Sequence, residues 1–286
     1  MTQNQDNTIT LKKTDLIKKY TDNGFSSNEA VSEIDFAIEI LCGLNAKDLL
    51  IGIMPSKKDI LKLNKIIEER VMTRKPIAQL LGYSFFMGYK FQVSEDTLIP
   101  RPETELLVAK AIEIINRNNY NQVLDIGTGS GCIACMIAKK TVAQVLGIDI
   151  SKEALKIALN NTMAMNLMNK ALFRKSDLFS NISEKFDIIV SNPPYIPYCE
   201  KDSLQIEVKE YEPACALFAQ DEQGVEFYRN IIENSKNYLN TSGHIVFELG
   251  QNQSEEITSI LEEHGYANIE VLQDVTGINR VISASL

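Results

Sequence analysis

From Gln122 to Lys140 the sequence passes from a short apolar segment, Val123-Leu124-Asp125-Ile126, through glycines at 127, 129 and 131, into a helical pattern. Glycines there permit a tight turn and let a ligand approach the backbone closely. The order strand, glycine turn, helix then repeats without the glycines. Expected strands are Gln122–Ile126, Gln144–Ile150, Leu172–Ser176, Phe186–Ser191, His244–Leu249, Ile269–Gln273 and Arg280–Ala284. Expected helices are Thr104–Asn116, Gly131–Lys140, Lys152–Met165, Gly224–Tyr238 and Ser254–His264. Apolar strands between amphipathic helices imply a mostly parallel sheet covered on both faces. Only Asp274–Asn279 separates the last two strands, too short for a crossover, so these should pair antiparallel. The expectation is an α/β, seven-stranded Rossmann-like sheet with an antiparallel end.

Upstream, residues 11–75 read as helical. Val31, Ile34, Ile38 and Leu41 recur at helical spacing, as do Ile60, Leu63, Ile67 and Val71. Ser26 or Ser27 is available as an N-cap. Pro76 ends the pattern, and the aromatic-rich stretch from Tyr83 to Val93, centred on Met87-Gly88, reads as a β-hairpin. Three regions follow: a helical-bundle domain over 1–75, a β-hairpin linker over 76–98, and the sheet domain over 99–286.

Hydrophobic residues form 44% of the 286 and charged residues 23%, enough to bury a core. No apolar stretch approaches a membrane span, and Met1–Thr10 lacks the apolar core of an export signal, so a cytoplasmic location is expected. A net charge of −9 argues against naked nucleic acid as the main partner. Lys12, Lys13, Lys18 and Lys19 read as a solvated helix face. The five cysteines are odd in number and scattered, as a reducing compartment allows. Cys132 and Cys135 form a C-x-x-C without a second pair to complete a metal set, and read as small apolar side chains under the sheet. No metal is expected.

The glycine loop and Gly147-Ile148-Asp149 suit an adenosine ligand. Asp149, 22 residues after Gly127, can accept both ribose hydroxyls. The spacing is G-x-G-x-G, not the G-x-G-x-x-G suited to a pyrophosphate. Asp125, just before the loop, can help hold a ligand's ammonium group directly or through water. Both details favour S-adenosylmethionine over a dinucleotide. Asp177, in the loop after the third strand, can accept from an adenine amino group, or serve only as a turn residue.

Directly after the strand Phe186–Ser191 stands Asn192-Pro193-Pro194-Tyr195. If the sheet reverses its order beside the first strand, this corner lies next to the glycine loop. An amide nitrogen is a weak nucleophile, because its lone pair is delocalised into the carbonyl. A site rich in acceptors can fix both N–H bonds and aim that lone pair at a sulfonium methyl. The Asn192 side-chain oxygen and the Pro193 carbonyl are two such acceptors, and proline brings no N–H of its own. Tyr195 can stack on the planar amide. Asn192, Pro193 and Tyr195 are the candidate catalytic residues.

The sequence resembles the release factor N5-glutamine methyltransferases, the PrmC/HemK family. The likeness covers Pro76–Gly82, Leu98–Glu105, the glycine loop, Asn192–Pro197, Glu212–Leu217 and Asp274–Arg280. It implies a class I methyltransferase domain and S-adenosylmethionine as donor. It also implies, as partner, the glutamine of the Gly-Gly-Gln motif in class I peptide chain release factors, and so a role in translation termination. Family ligand contacts fall on Gly127, Thr128, Gly129, Ser130, Gly131, Asp149, Leu178 and Asn192. Glutamine-holding residues fall on Asn192, Pro193, Pro194 and Tyr195. Family members often carry an aromatic at Leu178, which leaves open whether it or Phe179 covers the adenine. Arg101 and Glu103 could brace the Asn-Pro-Pro-Tyr loop. The helical domain would grip the release factor, with no direct nucleic acid, no membrane and a monomeric chain. Alternatives are a ribosomal-protein glutamine methyltransferase, an adenine-N6 nucleic-acid methyltransferase and a catalytically dead adaptor.

Overall fold

A computed structural model describes residues 11–286. The stretch Met1–Thr10, read as free of an export signal, lies outside the described residues. The chain divides into two compact units that meet between Tyr83 and Ser84.

The first unit contains α1 (Lys13–Asp22), α2 (Ser27–Cys42), α3 (Ala46–Leu50), α4 (Lys57–Thr73) and α5 (Ile77–Leu81). The Ser26 hydroxyl accepts the Glu29 amide at the start of α2, and Ser56 accepts Asp59 at the start of α4. Each such cap satisfies a helix-end donor and is worth about 1 kcal/mol. Ile34, Ile38, Leu63 and Ile67 meet in this unit's core. Arg70 is buried beside them, forked onto the Glu33 carboxylate at 2.9 Å and lying 4.5 Å over the Phe25 ring.

A hairpin follows, β1 (Tyr83–Phe86) and β2 (Tyr89–Gln92). Its loop residues Met87 and Gly88 have φ of 49° and 77°, the positive values whose twist matches the flanking strands. Phe86 and Phe91 are buried in the second unit, edge to face with centroids 6.0 Å apart.

The rest of the second unit runs α6 (Thr104–Asn118), β3 (Gln122–Ile126), α7 (Cys132–Lys140), β4 (Gln144–Asp149), α8 (Lys152–Ala164), β5 (Ala171–Lys175) and β6 (Phe186–Ser191). Short pieces come next: β7 (Ile196–Pro197), α9 (Ile206–Lys209), α10 (Ala214–Leu217) and β8 (Phe218–Ala219). Then come α11 (Glu226–Ser235), β9 (Leu239–Glu248), α12 (Ser254–Glu263), β10 (Ala267–Gln273) and β11 (Asn279–Ser285). The main sheet has seven strands in the order β10-β11-β9-β6-β3-β4-β5. Strands β9, β6, β3, β4 and β5 run parallel, and β11 lies antiparallel between β9 and β10. β9 begins at Leu239, ahead of the expected His244. Leu239 pairs with Phe186 across a register shift, and the intervening Asn240-Thr241-Ser242 is too polar to read as a strand.

Both faces of the sheet are covered, and the period-2 alternation sorts side chains between them. Val123, Ile188, Val190 and Val246 face one core with α6 and α7. Leu124, Ile189, Ile245 and Phe247 face the other with α11 and α12. Cys132 and Cys135 are free thiols buried in the first of these cores, pushed up by burial to about 12 and about 11. The outer strands are irregular: β10 breaks register twice, and β5 is five residues long with Arg174 and Lys175 near its end. β3 is flanked by β4 and β6, so chain order reverses there and a crevice opens beyond the carboxyl ends of β3 and β6.

Candidate active site

A cavity of about 430 Å³ occupies this crevice. Its floor is the glycine loop. Gly127, Gly129 and Gly131 have φ of 72°, 52° and 77°, values that side chains rarely adopt. The Gly127 and Thr128 amides both donate to the Ile148 carbonyl at 2.9 Å, tying the loop to β4. Gly127, Thr128, Gly129 and Ser130 line the cavity. Gly131 does not; a Cβ there would stand 2.9 Å from that of Ala158, so its smallness lets α8 pack. Ser130 Oγ is buried and, among the described residues, has no hydrogen-bond partner. An unpaired buried hydroxyl is costly, and a polar ligand atom in the cavity would relieve it.

Asp125 lies beneath the loop rather than on the cavity wall. It has no exposed surface and is absent from the cavity wall. Its Oδ2 accepts the Thr128 hydroxyl at 2.6 Å. Burial pushes the carboxyl up to about 7, against the hydrogen bonds from Thr128 and the Ala134 amide. Lying under the loop, Asp125 braces Thr128.

Asp149 ends β4 and lines the cavity. Its two oxygens accept the Gly129 and Ser151 amides, each at 2.9 Å. Burial raises its pKa, while these amides oppose the shift. Asp177 is exposed at the rim, beside Leu178 on the wall. Leu178 has a φ of 45°, held by the Ser176 hydroxyl, which donates to its carbonyl at 2.6 Å. Phe179 turns into the core and stacks on Tyr238 with centroids 4.5 Å apart. Of the two, Leu178 is the side chain presented to the cavity.

The opposite wall is the corner after β6. The Ser191 hydroxyl donates to the Ile126 carbonyl at 2.7 Å and locks the ends of β6 and β3 together. Asn192, Pro193 and Pro194 line the same cavity as the glycine loop. Asn192 Nδ2 donates to Thr104 Oγ1 at 3.4 Å, which leaves Oδ1 as the free acceptor. Tyr195 stands apart from these three. It is absent from the cavity wall and packs against the core shared with α11 and α12. Burial pushes its hydroxyl up to about 12. Its carbonyl accepts Gln253 Nε2 at 2.9 Å, and a Cβ on Gly224 would collide with that carbonyl.

Arg101 braces a different wall from the one expected. Its Nη2 reaches both oxygens of the buried Glu212 at 2.6 and 2.8 Å, joining the segments that carry Leu98–Pro100 and Pro213–Ala216. Burial raises the Glu212 pKa, and Arg101 opposes it. Glu103 makes no side-chain cap to α6. Thr104, Glu248 and Gln253 were not anticipated. A lone acid closing the apolar run Ile245–Leu249 was the available signal for Glu248.

The Methyltransferase small domain family matches residues 103–206. A release factor glutamine methyltransferase of Thermodesulfovibrio yellowstonii is 41% identical over 76% of this chain and 79% of its own length. One of Bacteroides thetaiotaomicron is 36% identical over 86% of this chain and 88% of its own. Among solved structures, a methyltransferase of Pyrococcus furiosus superposes with a TM-score of 0.53 at 18% identity, covering 76% of this chain and 96% of that one. The hMettl16 catalytic domain, solved with an RNA hairpin, gives 0.56 at 14% identity, covering 80% and 82%. These two likenesses concern the fold. At the identities of the curated relatives, the chain belongs to the release factor glutamine methyltransferase family.

Proposed function

We propose that this enzyme methylates the side-chain amide nitrogen of the glutamine in the Gly-Gly-Gln motif of class I release factors, and so acts on translation termination. The observation that carries the reading is Asn192. Its amino group is committed to Thr104, so an oxygen acceptor is left on the wall of a cavity whose floor is built for a nucleoside. The cavity residues fit S-adenosylmethionine. Asp149 offers carboxylate oxygens at the end of β4, Leu178 and Asp177 line the same cavity and would hold the adenine, and the buried Ser130 Oγ would take a polar atom. When bound, that cofactor supplies an electrophilic methyl group. The protein's part is positioning. Asn192 Oδ1 and the Pro193 carbonyl accept the two N–H bonds of the glutamine amide and turn its lone pair toward the donor. Pro193 and Pro194 keep backbone donors away from it. The nitrogen becomes far more acidic as it is alkylated, so no strong base is needed.

Residues 1–75 serve as the release-factor-recognising domain, 76–98 as the link and 99–286 as the transferase, and the chain works as a monomer. The test is mass spectrometry of unmodified release factor incubated with this protein and S-adenosylmethionine. One added methylene mass on the Gly-Gly-Gln peptide is expected. Transfer to a ribosomal protein or to nucleic acid, with none to that peptide, would overturn the substrate.

A further inference from the structure

Glu248 closes β9 beside the Asn192 corner and is 2% exposed. Its neighbours are the Thr104 hydroxyl and the Asn192 amide, both hydrogen-bonding groups. Among the described residues, its Oε2 has no partner. A carboxyl so placed costs the fold stability, and an apolar side chain would serve packing better. It plays no part in the methyl transfer set out above, neither as base nor as nucleophile.

We propose that Glu248 is a positioning residue that decides which end of the Asn192 carboxamide faces the cavity. This rests on Asn192 receiving the substrate amide. An ionised carboxylate only accepts hydrogen bonds. An amide beside it must offer Nδ2, which sends Oδ1 the other way, toward the substrate. Thr104 Oγ1 takes Nδ2 from the same side. A protonated carboxyl, or a glutamine, can also donate. Asn192 is then free to turn over, because the two ends of a carboxamide are nearly equal in size. Turned over, it would present N–H groups to a nucleophile that itself carries only N–H groups, and the corner would lose an acceptor.

The charged and titratable groups around Glu248 come from several elements. Glu103 precedes α6, Arg280 lies on β11, Tyr195 follows β6, and Tyr228 on α11 donates its hydroxyl to the Glu248 carbonyl at 2.7 Å. Burial outweighs the others and pushes the carboxyl up to about 7, with Glu103 adding to the rise and Thr104, Arg280 and Asn192 opposing it. The acceptor-only form therefore fills as pH rises through neutrality, and turnover should rise with it.

The experiment uses the full chain with S-adenosylhomocysteine, labelled with 15N at asparagine side chains. The Asn192 signals are identified by their loss in Asn192→Ala. They should shift with pH in one step near neutrality, and that step should vanish in Glu248→Gln. Glu248→Gln should also lower kcat about tenfold or more, leave donor affinity and KM little changed, and flatten the pH profile. Thr104→Val keeps the carboxylate and should keep the step, which guards against a Glu248 variant that fails to fold. Asn192 signals that do not move across neutral pH, or a Glu248→Gln enzyme with the wild-type pH profile, would overturn the inference. If the wild type transfers nothing to the release factor, the substrate is at fault, and the Asn192 signals still decide the role of Glu248.

Discussion

Asn192 and Asp149 share one cavity but serve different partners in the proposed reaction, so substitutions should separate them. Asn192→Ala removes the acceptor assigned above to the substrate amide. We expect most turnover to be lost, on the order of 1–3 kcal/mol of transition-state stabilisation, with S-adenosylmethionine affinity by calorimetry within a few-fold of wild type. Asp149→Ala should do the reverse and weaken the donor first, since its carboxylate holds the Gly129 amide and lines the cavity. Asp125 answers to pH. Its carboxyl titrates at about 7 in the fold against an ordinary 3.8, so the proton is held more tightly folded than unfolded. Its contribution is complete below the ordinary value and is lost as pH rises toward 7. The melting temperature of Asp125→Asn should therefore fall less than that of wild type between those limits; equal slopes would refute the buried, proton-binding carboxyl. Asn192 and Asp149 were legible in the sequence because each directly follows or ends a strand whose direction fixes where it points. That Asp125 and Tyr195 stand off the cavity wall was not legible, because adjacency along the chain does not say whether a side chain stands above a loop or beneath it.

The strand-loop-helix unit of β3, the glycine loop and α7 works only while α8 can close on it. Gly131→Ala would place a Cβ 2.9 Å from Ala158 at a φ of 77°. The strain and overpacking should cost about 1–3 kcal/mol, read as a lowered midpoint in urea. The same change at Gly127 meets nothing nearer than the Asn192 carbonyl at 3.9 Å, so only its backbone conformation resists. Long strands and helices were legible because their apolar periodicity spans whole elements. The first half of β9 was not, since Asn240-Thr241-Ser242 carries no apolar signal and is drawn into the sheet by Phe186. Nor were the two-residue β7 and β8, or the clamp that Gln253 places on the Tyr195 carbonyl, because such contacts depend on chain segments 22 to 58 residues apart.

At the scale of the molecule, the hairpin belongs to the second unit's core through Phe86 and Phe91, although the sequence presented it as a link. A chain of residues 82–286, which keeps both hairpin strands, should therefore fold alone. It should bind S-adenosylmethionine as the full protein does and lose methylation of intact release factor. Equal activity toward release factor in the truncated chain would remove recognition from the helical unit. The sheet's outer strands have a consequence of their own. A flat, apolar border would invite a neighbouring molecule to extend the sheet by one more strand. Here the kinked β10 offers no even row of donors and acceptors, and the short β5 ends in two cations. Both margins of the sheet thus resist the addition of a further strand, while the cavity beyond β3 and β6 stays open.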